Sequence, residues 1–222
     1  MSAMATNAPT VEAGTVETEV HLTRRRIDKT LVALGALFAV VLFVAGGLLA
    51  WGSNFAGDYV GKELRSQNIS FPAAEELTTQ GRTDLVHFAG QQLTTGAEAQ
   101  GYASFINGHL QKVAGGQTYA DLGAVQTAAK DAVQAAKDQA QPQSTIDELQ
   151  TKLTTVNTQR DTLFKGETLR GLLLSAYAWS TVGRIAGIAA WAAFAAGVAL
   201  VVLVVLGLVH ERRIARTAVA RA

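Results

Sequence analysis

The chain has 222 residues, 49% of them hydrophobic and 17% charged, with no cysteine and a formal net charge of +1. The missing cysteines exclude disulfides, thiolate nucleophiles and Cys-ligated zinc within this sequence. Charge is divided unevenly: residues 52–183 hold 10 Lys/Arg and 13 Asp/Glu, net −3, whereas residues 184–222 hold 5 Arg and 1 Glu, net +4. An acidic main polar region argues against nucleic acid as a partner.

Residues 1–22 mix Thr, Ala, Gly and Glu without an apolar period and cannot bury enough surface to offset ordering entropy. A disordered cytoplasmic tail is expected over 1–26, with Thr10, Thr15 and Thr18 as candidate phosphorylation sites. The uncharged run Leu31–Trp51 follows, and a second, Ile185–Val209, lies near the other end; they contain 21 and 25 residues. A hydrocarbon core of roughly 30 Å needs about 20 helical residues, so both runs are long enough to span it. Transmembrane helices are expected over 27–51 and 184–210. The first run exceeds a signal-peptide core and lacks a small-x-small cleavage site after it, which reads as an uncleaved signal anchor. Arg24, Arg25, Arg26 and Lys29 precede the first run, and Arg212, Arg213, Arg216 and Arg221 follow the second. The positive-inside rule then places both termini, including the basic tail 211–222, in the cytoplasm and residues 52–183 outside the plasma membrane. The basic edge suits anionic headgroups, making the lipid bilayer itself a partner.

After Trp51 the stretch Gly52, Ser53, Asn54, Phe55, Tyr59 suits the membrane interface, and the helix is expected to run on toward Arg65 before Asn68, Ser70 and Pro72 break it. Residues 71–95, punctuated by Gly81 and Gly90 and followed by Gly96, predict loop with short helical turns. From Ala97, the spacing of Tyr102, Phe105, Ile106, His109, Leu110 and Val113 predicts an amphipathic helix ended by Gly115 and Gly116. Another is predicted from about Tyr119, with Leu122, Val125, Ala129, Val133 and Ala136 facing inward and Pro142 closing it. A third begins near Ser144, a candidate N-cap. Its Ile146, Leu149, Leu153, Val156 and Leu163 follow heptad spacing, with Arg160 in the missing position, so a coiled-coil-like seam is expected. No proline separates this seam from the second apolar run, which predicts one helix from Ser144 to Arg213, roughly 105 Å long, kinked near Gly166 or Gly171. Small residues recur at every fourth position (Gly35 and Ala39; Gly46 and Ala50; Gly183 and Gly187; Ala189, Ala193 and Gly197), a pattern that lets helices approach closely in lipid. The expected fold is all-α: two transmembrane helices flanking an extracytoplasmic helical bundle or coiled-coil-like domain.

Chemistry-bearing residues are sparse. His21 and His210 fall on the cytoplasmic side, leaving His87 and His109, which with Asp84 or Asp121 would be needed for a two-His-one-carboxylate metal site. Nothing in the spacing demands that site; Glu75 with Glu76 and Asp147 with Glu148 read as solvated faces. The run Ala114–Tyr119 places glycines before a helix N-terminus but lacks the phosphate-loop pattern, and reads as a helix–helix turn. No catalytic, cofactor-binding or metal-ligating residue is therefore assigned, and no cofactor is expected.

The stretch Ala99–Leu122 resembles a group of small two-pass actinobacterial membrane proteins. Their extracytoplasmic segment carries Ala-x-x-Ile-x-x-His, then a Gly-Gly-x-Thr-Tyr-Ala turn and an acidic residue. Ala103, Ile106, His109, Gly115, Gly116, Thr118, Tyr119, Ala120 and Asp121 match it, over 24 residues plus the hairpin topology. This chain departs by a longer helical insertion from Ala124 to Lys165. Such proteins are often labelled aromatic ring-opening dioxygenases, but an iron site needs ligands that this spacing does not assemble; the resemblance implies a family of unknown function. The expected role is a non-enzymatic structural or protein-interaction one, in a homo-oligomer or with another membrane or envelope protein. The alternative is an extracytoplasmic ligand-sensing domain acting through a partner protein, since only 13 residues follow Val209.

Overall fold

The structure, a computed structural model, describes the backbone of residues 13–219 and the side chains of residues 26–213. Residues 1–12, with Thr10, and the side chains of Thr15, Thr18, His21, Arg24, Arg25, Arg216 and Arg221 lie outside the described residues. Among the described residues the fold is all-helical, as expected: α1 (Ala13–Ser66), α2 (Ala74–Thr79), a 3-10 helix (Thr83–Phe88), α3 (Gly96–Val113), α4 (Asp121–Asp138) and α5 (Gln143–Val219). The described backbone is helical from Ala13 on, inside the segment whose composition predicts a tail. Two helices are long and apolar enough to cross a membrane, and only 11% and 6% of their most apolar windows are buried. Core helices of a soluble protein would be mostly buried instead. The chain divides into two compact units, one comprising Met1–Trp51 with Gly187–Ala222, the other Gly52–Ala186.

In the first unit the apolar stretches of α1 and α5 pack antiparallel. Val32, Gly35, Ala39, Leu42, Gly46 and Leu49 on α1 are buried or half-buried, as are Gly187, Ala190, Phe194, Gly197, Leu200, Val204 and Gly207 on α5. Steps of three and four residues make this a left-handed seam of the coiled-coil type. Each helix offers glycines to large side chains of the other. A Cβ on Gly35 would lie 3.0 Å from Val204, and one on Gly46 would lie 3.0 Å from the Phe194 ring; Gly197 faces Phe43 at 3.2 Å and Gly207 faces Val32 at 3.0 Å. The Phe43 and Phe194 rings meet at 6.2 Å. The small residues therefore serve helix approach, but on a 3.5-residue period rather than in strict fourth-position rows: Ala190, 3% exposed, occupies the seam where Ala189 was the sequence-based candidate. The opposite faces are apolar and exposed, with Leu37, Phe38, Leu48, Ile188, Trp191 and Leu203 all more than half accessible.

In the second unit α1 ends at Ser66, and Asn68 takes a left-handed φ of 53° to reverse the chain. Residues 69–72 then pair with 90–93: Leu93 N–H donates to Ile69 O at 2.9 Å, Phe71 N–H to Gln91 O at 2.9 Å and Gly90 N–H to Pro72 O at 3.1 Å. This clasp closes a short irregular lobe holding α2 and the 3-10 helix, the loop with helical turns that proline and glycine predict. Its core is Val60, Leu64, Phe71, Leu77, Leu85, Leu93, Ala99, Ala103, Phe105 and Leu173, and Leu77 and Leu93 are fully buried. A second cluster, Leu110, Ala114, Leu122 and Leu163, joins α3 and α4 to α5, with Ile106 packed against both clusters.

Helix ends follow local chemistry. Thr95 and Glu98 form a capping box at the start of α3: Glu98 N–H donates to Thr95 Oγ1 at 3.3 Å and Thr95 N–H to Glu98 Oε2 at 2.8 Å. Gly115 and Gly116 both have positive φ, 59° and 85°, and turn the chain after α3. Two expectations change, though not the start of α4, which at Asp121 falls within two residues of Tyr119 beside the reciprocal Thr118–Asp121 bonds. Its inward face takes Gln126, while Val125 is 40% exposed. Ser144 lies inside α5 rather than capping it; the Pro142 carbonyl accepts from the Thr145 and Ile146 amides at 2.9 and 3.2 Å. Helical assignment in α5 continues through Gly166 and Gly171, where the sequence places a kink. At Gly166 the missing side chain makes room for Leu110, so the glycine answers a packing need.

Candidate functional site

The residues nominated by the sequence have local partners. His109 lies on α3 with Nδ1 3.2 Å from Phe105 O and its ring edge-on to Phe105 at 4.6 Å. His87 sits in the 3-10 helix against the Phe88 ring at 3.9 Å. Asp84 is gripped by Arg82, whose Nε and Nη2 donate to its two oxygens at 3.0 and 2.8 Å. The hydrogen bonds from Arg82 hold the Asp84 carboxyl below its ordinary value. Arg82 also donates to Ser104 O at 2.8 Å and Ser104 Oγ at 2.9 Å, tying the lobe to α3. Asp121 accepts from the Thr118 N–H at 2.9 Å and hydroxyl at 2.7 Å, and these two bonds, the backbone one first, lower its pKa. Among the described residues, no group of three or more His, Asp or Glu is assembled that could hold a metal ion. The set His87, His109 with Asp84 or Asp121 is not brought together. Glu75 and Glu76 lie in the exposed first turn of α2, and Asp147 and Glu148 are exposed on α5.

The turn Ala114–Tyr119 delivers Tyr119 to the α4–α5 seam, where Arg160 occupies the heptad position foreseen for it. The Arg160 guanidinium lies over the Tyr119 ring at 4.2 Å and its Nη1 donates to Gln126 Oε1. Gln126 Nε2 donates in turn to Asn157 Oδ1 at 2.5 Å, and Gln159 Nε2 to Val113 O at 3.1 Å. A polar layer thus interrupts an otherwise apolar seam. Its outer side is a shallow cleft of about 230 Å³ beside Asp161 and Phe164, and Asp161 is already paired with Lys165 at 2.6 Å. The arrangement orders the two helices more directly than it offers a reaction site.

An apolar groove lies between the 59–69 stretch and α5. Its volume is about 400 Å³, and it runs between Tyr59, Val60, Leu64 and Ile69 on one side and Leu169, Leu172, Leu173, Ala176 and Trp179 on the other, with Glu63, Gln67 and Ser175 as its polar groups. Leu172, Trp179 and Tyr59 are 66%, 60% and 56% exposed. In the sequence, Leu169, Leu172, Leu173, Leu174, Tyr177 and Trp179 lead without a proline toward the second apolar run. The available signal was a second stripe, Leu169, Leu172, Ala176 and Trp179, at steps of three, four and three beside the seam residue Leu173. Among the matched residues of the resemblance, Ala103 is core, Gly115 and Gly116 make a turn, and Thr118 and Asp121 are joined by reciprocal hydrogen bonds. No protein-family model, curated protein or solved structure matches the chain.

Proposed function

We propose that the chain is a two-pass integral protein of the plasma membrane. Both termini are cytoplasmic, and an extracytoplasmic helical domain acts by contact with other proteins rather than by catalysis, in a homo-oligomer or with another membrane or envelope protein. The observation that carries this reading is the pairing of two span-length helices through a glycine-lined seam while their outer faces stay apolar and exposed. In water such surfaces aggregate; in a bilayer they are solvated by lipid. The chain is free of cysteine, so single introduced cysteines report topology directly. On intact cells an impermeant maleimide labels Gln91→Cys, and it labels Ser2→Cys only after permeabilisation; the reverse pattern overturns the orientation. The solubilised protein runs as an oligomer, and a monomer at all concentrations in several detergents overturns that part. One iron or zinc per chain after gentle purification overturns the non-enzymatic part. The groove favours a second reading, a ligand-sensing domain that signals through a partner. Thermal stabilisation of the protein by a ligand supports it.

A further inference from the structure

The apolar surface of α5 is longer than a bilayer needs. Crossing the hydrocarbon core takes about 20 helical residues, and Ile185–Val209 supplies 25. Yet residues 171–183 add 13 uncharged positions ahead of Arg184, and Leu172, Trp179 and Val182 among them are each more than half exposed. Leu172 precedes Ile185 by 13 positions along the helix, about 20 Å of rise. This surplus forms one wall of the groove between Tyr59–Ile69 and Leu169–Trp179, whose volume of about 400 Å³ suits a single small ligand.

We propose that this groove holds one acyl chain of a membrane lipid, drawn up along α5 beyond the span-length run. The inference rests on the membrane reading above. Three features select this occupant. The walls are mostly aliphatic, with Val60, Leu64, Ile69, Leu169, Leu172 and Leu173, and the polar side-chain groups are those of Glu63, Gln67 and Ser175 and the ring groups of Tyr59 and Trp179. Tyr59 and Trp179 pair an apolar ring with a polar group, the side-chain type that sits at lipid headgroup level, and they stand eight residues after Trp51 and six before Ile185. The exposed part of the wall is also continuous with the apolar run: Leu172, Trp179 and Val182 are each more than half exposed, and no charged residue separates Leu172 from Arg184, which immediately precedes Ile185.

Trp fluorescence tests this on the full chain in phosphatidylcholine vesicles whose acyl chains carry bromine, a quencher confined to the hydrocarbon. Three single-tryptophan proteins are compared. One keeps Trp179, one keeps Trp191 in the apolar run, and one carries Leu172→Trp with Trp51, Trp179 and Trp191 all changed to Phe. Leu172 is 66% exposed, so its replacement leaves the core untouched. The expected result is strong quenching of Trp191 and a loss of about half the signal both at Trp179 and at position 172, a position beyond the reach of a flat hydrocarbon core. If Trp191 is not quenched, the membrane reading itself fails. If Trp191 is quenched while position 172 responds only to acrylamide from water, the groove holds no chain and the inference is overturned, whatever Trp179 shows. If position 172 is shielded from both quenchers, protein fills the groove and the inference is likewise overturned.

Discussion

Thr118 shows how one side chain sets a helix start and a titration together. Its hydroxyl accepts from the Asp121 N–H at 3.2 Å, while its own N–H and O–H donate to the Asp121 carboxylate. Thr118→Ala removes the hydroxyl part of this exchange, and an NMR titration of the Asp121 carboxyl is expected to move up toward the ordinary carboxylate value. The sign of the pH effect follows. Asp84 and Asp121 both have folded pKa values below the unfolded one. Their contribution to stability is therefore complete above about pH 3.9 and is lost as pH falls through the lower folded values. Both are solvent-exposed, so screening keeps the effect small. Thermal melts below that pH should show a shallower acid dependence in Thr118→Ala than in the parent. The capping box at the start of α3 gives a stability change instead: Thr95→Ala is expected to cost about 1 kcal/mol in a denaturant titration of the full chain. The capping box at α3 leaves a local signal, Thr95 with Glu98 three positions on. The Arg82–Ser104 tie leaves none, because its partners are 22 positions apart and nothing local links them.

Helix pairing sorts the glycines into two kinds. A Cβ at Gly96 would overlap the Ser180 side chain and lie 3.3 Å from Tyr177 Cα, backbone that a rotamer change cannot clear. A Cβ at Gly171 meets nothing within 4 Å. Gly96→Ala is accordingly expected to destabilise by about 1–3 kcal/mol, whereas Gly171→Ala, relieving a helix-interior glycine, stabilises by about 1 kcal/mol. Denaturant melts that return equal effects would contradict this packing of α3 on α5. The seam of the first unit is tested by oxidation: Gly35→Cys with Val204→Cys should cross-link within one chain, and Gly47→Cys with Val204→Cys should not, since Gly47 has no neighbour within 4 Å. Heptad spacing made the α5 seam readable. The rotation of α4 was not, because Val125 and Gln126 both lie near its inner edge. Gln126 turns in to meet Arg160 and Asn157, a choice made by polar partners rather than by hydrophobic period.

At the scale of the whole chain, the two units bury surface differently. The first relies on long helix contact and leaves apolar side chains such as Leu48, Ile188 and Trp191 outward; the second closes two small clusters, one around Leu77 and Leu93 and one around Leu122, each of the three at most 1% exposed. Backbone protection should follow. With the protein in lipid vesicles, amide exchange is expected to be slowest in residues 31–51 and 187–209, where hydrocarbon excludes water from helical hydrogen bonds. It should be fastest in residues 67–95, which depend on a few turn bonds such as Gly90 to Pro72. Equal exchange in the apolar stretches and the lobe would count against the membrane reading.

The sequence alone determined the all-helical class, the two span-length runs, the ends of α1 and α3, and the α5 seam with Arg160 in it. Each is a local property, since apolar period, breaker residues and run length act within a few turns of one helix. Tertiary structure decided which glycine receives which side chain, that Arg82 reaches Ser104, that Gln126 faces inward, and that Leu169, Leu172 and Trp179 border a groove. Those outcomes depend on the register of one helix against another, which sets contacts between residues tens to more than a hundred positions apart and leaves no periodic trace in either segment alone.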